Sequence, residues 1–173
     1  MPITFKQQSE FHSLAQSLHD LCLDISTYMM TLYEKPLEVT FKKDKSPLSK
    51  ADQYSHEQLM SFLTKQFPDT PILSEEMSSI AAYEERKIWD QFWLVDPLDG
   101  TKEFIKKNGQ FCICIALVEH QKPMFGFIHR PTTNISYYAA SGYGAYKLSL
   151  ETTRLKPKEK DADLFGHVLP CSV

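Results

Sequence analysis

The chain has no apolar run near the ~20 residues that a membrane helix needs. Its N-terminus, MPITFKQQSEF, shows neither the basic segment nor the apolar segment of a secretory leader. An excess of positive charge is also missing. The formal net charge is -3, and no stretch joins a basic stripe to stacking aromatics, so a nucleic acid polymer is not an expected partner. There is no internal repeat, and no glycine-rich loop ends in Lys-Ser or Lys-Thr as a nucleoside triphosphate cradle would. Cysteine is scarce, with only Cys22, Cys112, Cys114 and Cys171. Cys112 and Cys114 alternate on one strand face like half of a soft-metal site, but no second Cys/His pair at ligand spacing accompanies them. Their preferred reading is as small buried hydrophobes, which fits a reducing cytoplasm. The expected location is therefore cytoplasmic, with peripheral membrane association left open.

What remains is an ordinary globular composition. The 173 residues are 42% apolar and 24% charged, enough for one domain with a sizeable core. Phe11, Leu14, Ala15, Leu18, Leu21, Cys22, Ile25, Met29 and Leu32 recur at helical spacing and predict a long helix over 8–34, stopped at Lys35-Pro36. A strand over 37–43 and a turn at 44–47 follow. Leu59, Phe62, Leu63 and Phe67 mark a second helix, from near Asp52 to Pro68. Short strands are expected at 71–74 and 92–96, then a strand meander over 111–119, 124–130, 135–140 and 144–148 with short turns. The expected fold is α+β, an antiparallel sheet with two long helices packed on it. Residues 1–150 form the domain, and 151–173 lose the pattern and read as an irregular tail.

The chemistry concentrates in Trp93-Leu94-Val95-Asp96-Pro97-Leu98-Asp99-Gly100-Thr101-Lys102-Glu103-Phe104. Two aspartates three positions apart repel each other unless a cation lies between them. Pro97 fixes its φ, Gly100 permits close approach, and Thr101 opens a short helix over 102–107 whose free N–H groups favour an anion. A divalent cation such as Mg²⁺ beside a phosphate would satisfy that set. Asp99-Gly100 alone is also an ordinary turn, and Asp96 alone an ordinary cap. Ser74-Glu75-Glu76 reads most simply as an N-cap with two glutamates on the helix dipole, and Asp52 as another helix cap. An EF-hand is excluded, because its loop needs acidic groups at alternate positions and no proline at the second.

Taken together, Ser-Pro-x-Ser-x-Ala-Asp at 46–52, Leu-Ser-Glu-Glu at 73–76 and the 93–104 segment resemble the inositol monophosphatase superfamily. Lys102-Glu103-Phe104 is similar to the branch of CysQ-type 3′(2′),5′-bisphosphate nucleotidases, and the resemblance runs over roughly 8–148. It implies that Glu75, Asp96, Asp99 and the Leu98 carbonyl are metal ligands, with two or three Mg²⁺ in the complete family site. It implies that Asp99, Gly100 and Thr101 touch the scissile phosphate, that Glu75 and Thr101 position the attacking water, and that Asp52 accepts a proton relayed through Thr101. A threonine hydroxyl is too weak a base alone, so a carboxylate behind it makes chemical sense. The implied activity is Mg²⁺-dependent hydrolysis of a phosphomonoester, with 3′-phosphoadenosine 5′-phosphate as substrate and AMP as product. An inositol- or sugar-phosphate phosphatase and a non-catalytic metal- or phosphate-binding remnant are the rivals.

The resemblance also sets an expectation of incompleteness. Members of the family continue into a second half carrying Trp-Asp followed by small residues, whose Asp is a further metal ligand. The only Trp-Asp here is Trp89-Asp90, which precedes the motif and is followed by Gln91-Phe92. The expected consequences are a missing C-terminal substrate domain, impaired catalysis and a homo-oligomer formed through exposed apolar surface. His129-Arg130 is expected as a solvated strand end, and His56 and His120 as surface residues.

Overall fold

The computed structural model describes residues 2–34, 39–41, 47–77, 81–149 and 152–154. Helix α1 (Gln8–Tyr33) forms where the helical spacing places it, with Phe11, Leu14, Ala15, Leu18, Cys22, Ile25 and Met29 buried along one stripe. Burying each of the larger ones is worth about 1.5–3 kcal/mol. Strands β1 (Val39–Phe41) and β2 (Pro47–Ser49) pair antiparallel as a separate two-stranded ribbon. Residues 35–38 and 42–46 lie outside the described residues, and with them the predicted stop at Lys35-Pro36 and most of the predicted turn. Helix α2 (Lys50–Gln66) buries Ala51, Leu59 and Leu63, and Phe67 beyond its end meets Trp93 at 5.2 Å between ring centroids.

The main sheet has seven strands: β3 (Ile72–Ser74), β4 (Gln91–Asp99), β5 (Cys112–Glu119), β6 (Lys122–Arg130), β7 (Ile135–Ala140), β8 (Gly144–Leu148) and β9 (Thr152–Arg154). Each strand lies beside its neighbour in sequence, as short turns dictate. All pairs from β4 onward are antiparallel, whereas β3 runs parallel to β4 across a connection holding the one-turn helix α3 (Tyr83–Arg86). Helix α4 (Thr101–Ile105) joins β4 to β5. The α+β architecture expected from the sequence is therefore present, with α3 and β9 added and with the expected strand β3 running parallel in a sheet expected to be antiparallel. The sheet continues to Arg154, past residue 150, and residues 155–173 lie outside the described residues.

Both long helices lie on one face of this sheet: α1 packs over β6 and β7, and α2 over β4 and β3. That face carries Trp93, Val95, Ile113, Ile115, Leu117, Phe125, Phe127, Tyr138 and Tyr146, all buried. A strand's period of two sends the alternate residues to the outer face. There Leu94, Asp96, Cys112, Cys114, Ala116, Val118 and Ile128 are half-buried and Tyr137 is exposed. No helix among the described residues is long and apolar enough to cross a membrane.

A polar chain ties α1 to the sheet. His19 Nδ1 lies 2.8 Å from Ser136 Oγ, Ser136 Oγ lies 2.8 Å from His129 Nδ1, and His129 Nε2 lies 2.9 Å from Ser26 Oγ. His129 is completely buried, which corrects its expected place at a solvated strand end; Arg130 alone is exposed there. Burial, with the nearby His19 as second cause, lowers the His129 imidazole to about 4, so it is neutral at physiological pH.

Candidate metal and phosphate site

The two aspartates of β4 share a face because the strand is irregular. Asp96 lies opposite Cys114 and Asp99 opposite Cys112, so three steps along β4 match two along β5. On a regular strand residues three apart point to opposite faces. The one-residue bulge cancels that offset and brings both carboxylates to the outer face, while Pro97 and Leu98 turn inward and are buried. Proline suits the bulge because it has no N–H to leave unpaired. The Ser55 hydroxyl on α2 donates to the Pro97 carbonyl at 2.8 Å and fixes the bulge from the helix side.

Downstream, the Leu98 N–H donates to Asp96 Oδ1 at 3.1 Å, and the Thr101 hydroxyl donates to the Leu98 carbonyl at 3.1 Å. Gly100 has φ 90°, and a Cβ there would lie 2.7 Å from the Gln110 carbonyl oxygen, so only glycine fits. The turn closes into α4 through the Phe104 N–H, which donates to the Gly100 carbonyl at 2.9 Å.

Glu75 arrives from the parallel neighbour. Ser74 pairs with Val95, and the Glu75 N–H continues that register by donating to the Val95 carbonyl at 3.3 Å. No helix starts at Ser74: residues 75–76 form a turn, and Ser74 Oγ lies 3.0 Å from His56 Nδ1 on α2. The capping explanation of Ser74-Glu75-Glu76 therefore fails, and His56 is half-buried. Burial pushes the Asp96 carboxyl up to about 7, helped by the charges of Glu75 and then Asp99, and Glu75 also hydrogen-bonds its side chain. Crowded, partly desolvated carboxylates of this kind have the donor chemistry of a hard divalent cation site.

Asp52 is 3% exposed in the first turn of α2, one turn before the Ser55 that holds the Pro97 carbonyl. In this structure the Thr101 hydroxyl hydrogen points to Leu98, so a relay to Asp52 requires that hydroxyl to rotate. Trp89-Asp90 sits at the opposite end of β4; Asp90 is exposed near His120, and the six residues to Asp96 span roughly 20 Å.

Two side chains on β5 need correction. Cys22 is buried in the core, and burial raises its thiol pKa. Cys112 and Cys114 are half-buried on the outer face instead, beside Asp99 and Asp96. Cys112 Sγ lies 3.6 Å from Cys114 Sγ and 3.8 Å from Asp99 Oδ2. The Cys114 thiol is pushed up by its hydrogen bond with Cys112 and then by burial. Among the described residues, Asp99, Cys112 and Cys114 are the one set of three whose ligand atoms all lie within 4.8 Å of one another. Glu75, Asp96 and Asp99 are not drawn together that tightly. Sequence spacing missed Ser55; it put Cys112 and Cys114 on one face but not beside Asp99, because these placements depend on the α2–β4 packing and the β4–β5 register.

Comparison with known proteins identifies the family. The chain is 47% identical over 116 residues to the 3′(2′),5′-bisphosphate nucleotidase CysQ of Escherichia coli, covering 66% of this chain and 46% of that protein. It is 39% identical over 146 residues to CysQ of Haemophilus influenzae, covering 84% and 53%. The crystal structure of CysQ from Bacteroides thetaiotaomicron, a bacterial member of the inositol monophosphatase family, matches with 42% identity and a TM-score of 0.64. That match covers 79% of this chain and 49% of that one. The chain spans about half the length of these relatives. The sequence model of the inositol monophosphatase family matches residues 11–170, and the chain belongs to that family.

Proposed function

We propose that this chain carries the divalent-metal and phosphate cradle of a phosphomonoesterase acting on 3′-phosphoadenosine 5′-phosphate. The observation that carries the proposal is the β4 bulge, which brings Asp96 and Asp99 to one face beside Glu75. Glu75, Asp96, Asp99 and the Leu98 carbonyl would hold Mg²⁺, two or three ions in a complete site. Bound there, the cation supplies charge neutralisation for the phosphate and a lower pKa for the attacking water. The residues do the rest. Helix α4 has only five residues, so its dipole adds little, and the backbone N–H groups of Gly100 and Thr101 would meet the phosphate with Asp99. Glu75 and Thr101 orient the water. Its proton passes to Thr101 Oγ1 as the hydroxyl proton passes to the Asp52 carboxylate, a neutral-to-anionic handover that spares threonine from acting as a base alone.

The test pairs Mg²⁺ calorimetry with inorganic phosphate release from 3′-phosphoadenosine 5′-phosphate and from inositol 1-phosphate. Release from the nucleotide with Mg²⁺, abolished in Asp96→Asn, supports the proposal. Preference for inositol 1-phosphate would replace the nucleotidase reading with its rival. A second reading, metal and phosphate binding without turnover, is favoured by one observation: the chain's sole Trp-Asp lies at the far end of β4. Saturating Mg²⁺ binding without phosphate release from either compound would select it. We further propose that the apolar outer face pairs with a second copy of the chain.

A further inference from the structure

Directly across β4 and β5 from the carboxylates, the molecule carries a second donor set of different chemistry. Cys112 and Cys114 are two apart on β5, so both leave the outer face on the same side. The bulge in β4 then sets Asp99 opposite Cys112. Both thiols are free, half-buried and beside an exposed carboxylate, so a cation can reach them from solvent. We propose that Cys112, Cys114 and Asp99 form a binding site for a thiophilic divalent cation of the Zn²⁺ class.

Two of the three spacings are close to those of tetrahedral coordination. Two sulfurs each ~2.3 Å from a tetrahedral Zn²⁺ stand about 3.8 Å apart, and a sulfur and a carboxylate oxygen about 3.5 Å apart. The structure holds the Sγ–Sγ pair at 3.6 Å and the Cys112 Sγ–Asp99 Oδ2 pair at 3.8 Å, each a few tenths of an ångström from those values. All three ligand atoms lie within 4.8 Å of one another. Two soft sulfurs select against Mg²⁺, which takes oxygen ligands in an octahedral shell. A disulfide is a poorer use of the pair, because its sulfurs must approach to about 2.05 Å along a strand that holds the two Cys side by side. Three protein ligands leave one coordination position open toward solvent. The site stands on its own donor set, whether or not the phosphatase proposal holds. If both hold, Asp99 belongs to both sets, and Zn²⁺ and Mg²⁺ compete for it.

The experiment is a Co²⁺ titration of the reduced full chain, read by absorbance. In Mg²⁺-free buffer, one equivalent should give a near-ultraviolet thiolate-to-cobalt charge-transfer band that is displaced by Zn²⁺. Cys112→Ser and Cys114→Ser should each remove most of the band, Asp99→Asn should weaken Co²⁺ binding by more than about tenfold, and Cys171→Ser should leave it unchanged. A second measurement needs no variant: Zn²⁺ should protect Cys112 and Cys114 from alkylation, read by peptide mass. Absence of the band, its persistence in the double serine variant, or equal alkylation with and without Zn²⁺ overturns the proposal. None of these readouts requires phosphate release, so failure here is separable from failure of the proposed activity.

Discussion

Asp96 is held between two requirements. A raised carboxyl costs nothing below its unfolded value of about 4; the cost builds as pH rises from there and is complete above about 7, because burial and the Glu75 charge oppose ionisation. At pH 8 the full cost is present in the metal-free protein. Asp96→Asn removes the charge and keeps the acceptor oxygen for the Leu98 N–H, so its melting temperature without Mg²⁺ should exceed that of the unsubstituted chain. The same variant should lose the gain from Mg²⁺, which at a hundredfold excess over Kd is about 2.7 kcal/mol. Thermal unfolding with and without Mg²⁺ reads both, and a variant that is less stable in both conditions contradicts the argument. Gly100 makes the opposite case, since no side chain is tolerated. Gly100→Ala combines the left-handed backbone, about 1–2 kcal/mol, with a Cβ pressed on the Gln110 carbonyl. Its unfolding free energy from urea titration should fall by at least that amount, as a lower midpoint at unchanged m-value.

Among the elements, the joint between α1 and β6–β7 carries the clearest pH signature. One proton arrangement satisfies the whole chain with both imidazoles neutral: His129 Nδ1 donates to Ser136, Ser136 donates to His19 Nδ1, and Ser26 donates to His129 Nε2. Protonating His129 breaks that order, because Nε2 then becomes a donor facing the Ser26 hydroxyl. An unfolded histidine titrates near 6.5 and this one near 4, so the unfolded chain takes up the proton first. The stabilisation is complete above about pH 6.5 and is lost as pH falls toward 4, by on the order of 3 kcal/mol. Protonation of Asp96 stabilises the fold over the same interval, so the reading is the stability of the unsubstituted chain minus that of His129→Gln in urea unfolding, which should fall by that amount toward pH 4; equal slopes would refute the assignment. This joint was not legible in the sequence, where His129-Arg130 looks like a charged strand end. Periodicity did disclose α1, α2 and strands β5 to β8, because each buries one continuous face. It missed the parallel direction of β3 and the short pieces α3 and β9, which are fixed by tertiary pairing and carry no period of their own.

For the molecule as a whole, the motif at 93–104 points to the proposed cradle, but the alignment of its two aspartates lies in the register of two strands. The bulge that aligns Asp96 with Asp99 also aligns them with Cys114 and Cys112, and no count along the chain shows that. Among the described residues, the outer face holding these side chains is the sheet's less covered side, since both long helices pack on the other. Across it run Phe92 opposite Val118, then Leu94, Ala116, Gly126, Ala139 and Ala145 in one cross-strand row. A largely apolar, shallow surface of that kind gains free energy when a second copy removes it from water, at about 25 cal/mol per Å² of apolar area. Sedimentation velocity should therefore show a concentration-dependent species heavier than the 20.0 kDa monomer. Val118→Lys puts a charge on that face four residues along β5 from Cys114, away from the carboxylates, and should shift the distribution to monomer. Its far-ultraviolet circular dichroism and its Mg²⁺ binding should not change. A chain that sediments as a monomer at every concentration would show that the outer face is not a self-association surface.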